Sequence, residues 1–188
     1  MTQTTELLAP AGDIEAGYAA LYYGADAVYL GLPKFSARAE AINFTQSELD
    51  EFVAYAHSID RKVYVAMNTL VQESELDEVM LGLQTCVDTG VDAVIVQDLG
   101  IARIVRKRFP SLELHASTQM AIHNLEGALA LKKMGFTRVV TARELSLSEI
   151  KHIKDNCGIE VETFIHRGTL LFLQWIMFLF LLSNNSFC

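Results

Sequence analysis

Up to about residue 166 the chain alternates short apolar runs with longer amphipathic ones. The short runs are Glu6–Ala11, Ala27–Leu32, Lys62–Met67, Ala93–Val96, Glu113–Ala116, Arg138–Thr141 and Glu160–Ile165. Rich in Val, Leu, Ile and Tyr, they predict strands buried on both faces. The segments between them carry helical spacing, most clearly from Ser47 to Ile59, where Leu49, Phe52, Val53 and Ala56 fall on one face. Thr45 precedes Glu48, and Ser146 precedes Glu149, by the three residues of a capping box. Gly24, Gly90 and Gly135 stand where helices should end, as left-handed C-caps.

Seven strands alternating with six helices through short connections imply βα units and a parallel sheet. A partial repeat agrees: Gly24-Ala25-Asp26-Ala27-Val28 returns as Gly90-Val91-Asp92-Ala93-Val94, two βα units later. A barrel and an open doubly wound sheet both fit the alternation. Polar residues after nearly every strand favour the barrel, whose site is assembled from many strand ends. No GxGxxG or P-loop marks the switch point of an open sheet. The expected class is therefore α/β, a parallel (β/α) TIM-type barrel that is incomplete at seven strands.

Composition narrows the setting. At 188 residues, 51% apolar and 20% charged, the chain suits one buried domain and not a disordered segment. A net charge of −8 gives no whole-chain attraction to nucleic acid or anionic membrane, though a local basic groove stays open. No DNA and no membrane partner is expected. The N-terminus has neither the basic nor the apolar region of a secretory signal. Cys86, Cys157 and Cys188 offer neither a disulfide framework nor a metal knuckle. A cytoplasmic setting is the expectation.

Chemistry in a barrel sits at strand C-termini and the loops after them. Those positions hold Ser36 and Arg38, then Asn68 and Thr69, then Gln97 and Asp98. His115, Ser117, Thr118 and Gln119 follow, then Arg143 and Glu144, and finally His166. Asn68, Asp98, His115, Gln119, Arg143, Glu144 and His166 are the candidate catalytic residues. Each has a plainer reading: Asp98, before Leu99-Gly100, is equally an N-cap. Arg143 and Glu144 can pair with neighbours, and a histidine between apolar residues is often simply core. Their joint placement on one face is what favours function. Neither HExxH nor GxSxG occurs. Cys86 inside a helix and Cys157 at a helix end lack the setting of a nucleophile. Spacing alone names no reaction.

The residues themselves resemble a known family. ELLAPAGD at Glu6–Asp13, YGADAVYLG at Tyr23–Gly31 and FSAR at Phe35–Arg38 are similar to the opening of the collagenase-like peptidase family U32. The likeness runs on through VYVAMNTL, VDAVIVQDLG, LHASTQM, VVTARELSLSEI and ETFIH. It covers roughly nine-tenths of the chain. The resemblance implies an enzymatic parent, either a collagenase-like protease or, from the LHASTQ and ARELSL wording, an RNA pyrimidine hydroxylase. For the intact family member it also implies an iron–sulfur (4Fe-4S) cluster on cysteines, with RNA or protein as substrate. A non-catalytic barrel that binds a partner is the remaining reading.

After His166 the likeness stops. The family's wording, roughly H-G-A-L-C, three residues, then S-G-x-C, is replaced by a stretch in which twelve of the fourteen residues Thr169–Leu182 are apolar. That is shorter than the roughly twenty residues of a membrane span. A frame shifted by one base restores the wording: Trp175 into Ile176 must read glycine, and Met177 into Phe178 must read cysteine. The expected division is therefore residues 1–167 as a partial barrel and 168–188 as an apolar, frameshifted tail. On this expectation the chain lacks the cluster cysteines and an eighth βα unit, holds no cofactor itself, is inactive, and is prone to edge-strand association or aggregation.

Overall fold

The computed structural model describes residues 5–36 and 44–165. Arg38, His166, Cys188 and the segment 168–188 lie outside the described residues. Seven strands form one parallel sheet in sequence order: β1 Leu8–Ala11, β2 Ala27–Gly31, β3 Lys62–Met67, β4 Ala93–Val96, β5 Glu113–Ala116, β6 Arg138–Val140 and β7 Glu160–Glu162. Six helices connect them: α1 Ile14–Tyr22, α2 Gln46–Ser58, α3 Leu76–Thr89, α4 Leu99–Arg108, α5 Leu125–Lys133 and α6 Leu147–Cys157. This is a curled, seven-stranded (β/α) half-barrel. Four runs were expected too long: two by a single residue, β2 ending at Gly31 instead of Leu32 and β6 at Val140 instead of Thr141, and two by more. The first strand begins at Leu8 instead of Glu6, and the last ends at Glu162 instead of Ile165. In both cases the trimmed residues leave the ladder to place Glu6 and Phe164 as described below.

The helix ends follow the side-chain chemistry. Thr45 and Ser146 both make complete capping boxes with Glu48 and Glu149. Gly90 closes α3 at φ 78°, a conformation in which a side chain would be strained. The main core lies between sheet and helices and includes Leu49, Phe52, Val65, Leu83, Ile101, Leu114 and Ile153. A smaller cluster of Ala27, Tyr64, Ala93 and Ile95 fills the barrel lumen. Gly17 lets α1 approach α2: a β-carbon there would stand 2.7 Å from the Phe52 ring.

The repeated Gly-x-Asp-Ala-Val turns out to be a strand-start staple. Asp26 accepts from the Leu7 backbone at 3.0 Å and from Arg61 at 2.8 Å. Asp92 accepts from the Val63 backbone at 2.8 Å and from His57 Nε2 at 3.0 Å. Each aspartate ties its own strand's entry to the neighbouring strand, and each takes its cationic or ring partner from the end of α2. The repeat therefore belongs to the N-terminal rim, the end of a barrel that carries stability.

Candidate functional site

A pocket opens at the other end, where the strands finish. It is lined by Ala11, Gly31, Val140 and Glu162 from strand ends, with Ser36, Asn68, Ser117 and Thr118 from the residues that follow them. Tyr29, Leu30, Ala66 and Ile95 form its deeper wall, and Phe164 stands at its edge. Parallel register produces this arrangement: Gly31 pairs Ala66, Ala66 pairs Ile95, and Val140 pairs Glu162. These side chains therefore come to one level and face the lumen.

Glu162 is the only charged side chain among the lining residues. Beneath it, Arg138 enters from the first position of β6 and is almost fully buried. Arg138 donates through Nε to Glu160 at 2.7 Å and through one terminal nitrogen to Glu6 at 2.6 Å. Its guanidinium also lies 5.1 Å from the centroid of the Tyr64 ring, and the Tyr64 hydroxyl donates to Glu6 at 3.1 Å. Glu162 is left with the weakest share: 3.6 Å from Arg138, within ion-pair range but beyond a hydrogen bond. Its Oε2 has no hydrogen-bond partner.

Three carboxylates thus compete for one guanidinium, and this sets proton affinities. Burial lifts the Glu162 carboxyl to about 7, with Arg138 opposing the shift and Glu6 and Glu160 adding to it. Burial also works against the charge on Arg138, but the Glu6 and Glu160 carboxylates hold it firmly protonated. A carboxyl poised near neutral pH in a pocket can give or take a proton, which is the property of a general acid or base.

Of the seven residues chosen from sequence, His166 lies outside the described residues, and the six described ones are not brought together as one set. Asn68 is half-buried and lines the pocket. Arg143 joins the mouth indirectly, its guanidinium 4.3 Å from the centroid of the Phe164 ring. Asp98 caps α4, accepting from the backbones of Gly100 at 2.7 Å and Ile101 at 3.0 Å, and reaches the Val71 backbone at 3.3 Å. The capping reading is the one its contacts describe. Gln119 is exposed in a single 3-10 turn, and Glu144 is exposed 3.5 Å from His123 Nε2.

His115 lies below the pocket and does not line it. Its ring packs edge-on against Tyr64, with centroids 4.8 Å apart, and is 1% exposed. Both ring nitrogens lack hydrogen bonds, the nearest acid being Glu113 at 3.5 Å. Burial, reinforced by Arg138 and Lys62, presses its proton affinity down to about 3, so it is a neutral lumen residue.

Sequence reasoning passed over Glu162, Phe164 and Tyr29 as site residues. A signal for Glu162 was present: Glu160 and Glu162 alternate in a strand otherwise expected to be apolar, and so share one inward face.

The described cysteines do not fit a metal centre. Cys86 is buried in α3 with its thiol pushed up to about 12 by burial, and Cys157 is buried at the end of α6. Among the described residues no three His, Cys, Asp or Glu side chains could hold one ion together. No helix of the described residues is long and apolar enough to cross a membrane.

Comparison with known proteins places this geometry in a family. The chain is 42% identical to the 23S rRNA 5-hydroxycytidine synthase of Escherichia coli, over 86% of its own length and 24% of that protein's. It is 39% identical to a tRNA hydroxylation protein of Bacillus subtilis, over 88% of the chain and 39% of the relative. An uncharacterised protease of Methanocaldococcus jannaschii is 38% identical, over all of the chain and 47% of the relative. The chain therefore spans about a quarter to a half of these relatives. In fold it is similar to a U32 peptidase of known structure, with a TM-score of 0.69 at 15% identity, covering 87% of this chain and 69% of that one. A glycerophosphodiester phosphodiesterase from Parabacteroides distasonis gives 0.61 at 13%, covering 93% of this chain and 90% of that one. Residues 12–173 match the description of Peptidase family U32, and the chain belongs to that family.

Proposed function

We propose that this chain is the barrel part of an enzyme that hydroxylates pyrimidines in RNA. The observation that carries the reading is its 42% and 39% identity to an rRNA 5-hydroxycytidine synthase and a tRNA hydroxylation protein. The pocket supports it, because a site built at strand C-termini with a carboxyl near neutral proton affinity suits proton movement at a bound ring. Asn68, Ser117 and Thr118 add hydrogen-bonding groups around that carboxyl.

Converting a ring C–H to C–OH is a two-electron oxidation. The described residues contribute seating of the ring and a proton acceptor or donor at Glu162. They do not fit the iron–sulfur cluster that the family resemblance implies, so no step is assigned to one. Ligands for it belong to the restored reading frame after His166, which we propose as the parent sequence of residues 168–188. Sequencing the DNA from the His166 codon onward tests this: an open shifted frame supports it, and an immediate stop in that frame defeats it.

The functional test is genetic. Deleting the intact gene should remove a hydroxylated pyrimidine from rRNA or tRNA, read by mass spectrometry of nucleosides, and the intact gene should restore it. Unchanged RNA in the deletion strain defeats the proposal. Proteolysis is the second reading, favoured by the family's name and the archaeal relative described as a protease. Gelatin cleavage by the intact protein, abolished by Glu162→Gln, would support it instead.

A further inference from the structure

We infer that the pocket at the strand C-termini seats one unstacked pyrimidine, its ring against Phe164 and its hydrogen-bonding edge against Glu162. The inference rests on the RNA-modification reading and says which part of the RNA enters this barrel.

An enzyme that works on a ring atom of a base must take that base out of the stack, and it then holds the base by aromatic contact and by its edge. The pocket has the parts for this. Its walls are largely apolar, from Ala11, Leu30, Ala66, Ile95 and Val140. Phe164 is 39% exposed and lines the pocket, with the Arg143 guanidinium 4.3 Å from its ring centroid. That cation braces the ring as a stacking platform, since one of its faces is already occupied.

The charge pattern selects the base over the phosphate. Among the described residues no cation lines the pocket, and Glu162 is its one carboxyl. A phosphate there would meet the carboxyl of Glu162 with no cation facing it from the described lining, because Arg138 lies beneath, 3.6 Å from Glu162, and is hydrogen-bonded to Glu6 and Glu160 at 2.6 and 2.7 Å. A neutral ring meets no such obstacle. One outer cation, Arg143, stands beside Phe164 at the pocket's edge, where a backbone phosphate would lie once the base is inside.

The edge chemistry is complementary as well. A protonated carboxyl presents a donor beside an acceptor. Cytosine offers ring nitrogen 3 as acceptor beside its exocyclic amine as donor, and uracil offers the same pair reversed. In the fold Oε2 is buried against Arg138, so Oε1 is the oxygen left to meet the edge: protonated it donates to ring nitrogen 3 of cytosine or to a uracil carbonyl, and ionised it can only accept. Paired in this way, carbon 5 of the ring points away from Glu162 and stays accessible. The groups facing Glu162 are Arg138 from β6, Glu160 from its own strand and Glu6 from ahead of β1. At pH 8 a carboxyl that titrates near 7 is about 90% ionised, so binding should fall roughly tenfold between pH 6 and pH 8.

The test uses the full 188-residue chain and two labelled five-nucleotide RNAs, one with a central cytidine and one with an abasic ribose there. Fluorescence anisotropy is recorded at pH 6 and pH 8, with circular dichroism confirming that each variant is folded. The cytidine RNA should bind at least tenfold tighter than the abasic one at pH 6. Phe164→Ala should remove most of that difference while leaving abasic binding unchanged. Glu162→Gln, an amide with the same donor and acceptor that cannot ionise, should keep the pH 6 affinity and lose the pH dependence. Equal binding of the two RNAs overturns the base seat and leaves the RNA reading standing. No binding of either RNA at millimolar concentration overturns both. Equal weakening of both RNAs by Phe164→Ala also overturns the seat, because the ring would then touch something other than the base.

Discussion

The two ends of the strand bundle handle charge in opposite ways. At the N-terminal end, Asp26 and Asp92 each hold a backbone N–H at a neighbouring strand's entry and one side chain, Arg61 from the turn after α2 and His57 from α2 itself, and Arg138 is held by Glu6 and Glu160 within 2.7 Å. At the C-terminal end, Glu162 has an oxygen with no hydrogen bond, and Leu70, Leu99, Leu147 and Ile165 are exposed. A buried polar group without a partner costs stability. The N-terminal end gives its carboxylates close partners, and the C-terminal end leaves Glu162 3.6 Å from its cation.

The comparison breaks most visibly at Arg138. Replacing it with methionine leaves Glu6, Glu160 and Glu162 without their shared cation. Removing one partner of a buried ion pair costs about 3–5 kcal/mol. Glu160 is largely exposed and can return to water, so we expect the lower part of that range. Urea unfolding checks it, and a loss under about 1 kcal/mol would mean the network contributes little. Asp92→Ala should cost less, about 1–2 kcal/mol, because it strips one backbone bond at Val63 and one side-chain bond at His57. Asp26→Ala should cost no more than that, since Asp26 is itself more exposed than Asp92, 41% against 29%.

Most of the fold was legible, and for particular reasons. Thr45 with Glu48 and Ser146 with Glu149 announced two helix starts because a capping box is a local interaction. The apolar runs gave the strands because parallel strands are buried on both faces. The repeat at Asp26 and Asp92 was visible as wording, but its role needed the neighbouring strand and the end of α2, both remote in sequence. The site was less legible. Asp98 and His115 have the residue types of catalysis, yet their neighbours make one a cap and the other a buried neutral ring. Glu162 acquires its character from Arg138, Glu6 and Glu160, and Glu6 stands at the opposite end of the chain.

Two smaller effects sharpen the contrast through pH. His115 is neutral in the fold, with its proton affinity lowered to about 3 against an ordinary value of 6.5. Its contribution is present above about 6.5 and is lost as pH falls towards 3. His115→Phe should flatten this acid limb in thermal melts, and an unchanged limb would place the acid sensitivity elsewhere. Glu162 has the opposite sign. Its affinity is raised from 4.5 to about 7, so its contribution is present below about 4.5 and is lost as pH rises through 7. Glu162→Gln should therefore leave stability near pH 5 almost unchanged and remove the decline between pH 5 and 8.

The ionisation of Glu162 is what most sharply separates the two ends of the barrel, and it can be measured directly. Labelling glutamate at its side-chain carboxyl carbon and following the Glu162 resonance by NMR from pH 4 to pH 9 measures it directly, with Glu162→Gln giving the assignment. The account predicts a midpoint near 7 in the native chain, moved further from the ordinary range when Arg138 is replaced. A midpoint near the ordinary glutamate value of about 4.3 would contradict it, because Glu162 would then be an ionised wall residue and the pocket would have no neutral acid to offer.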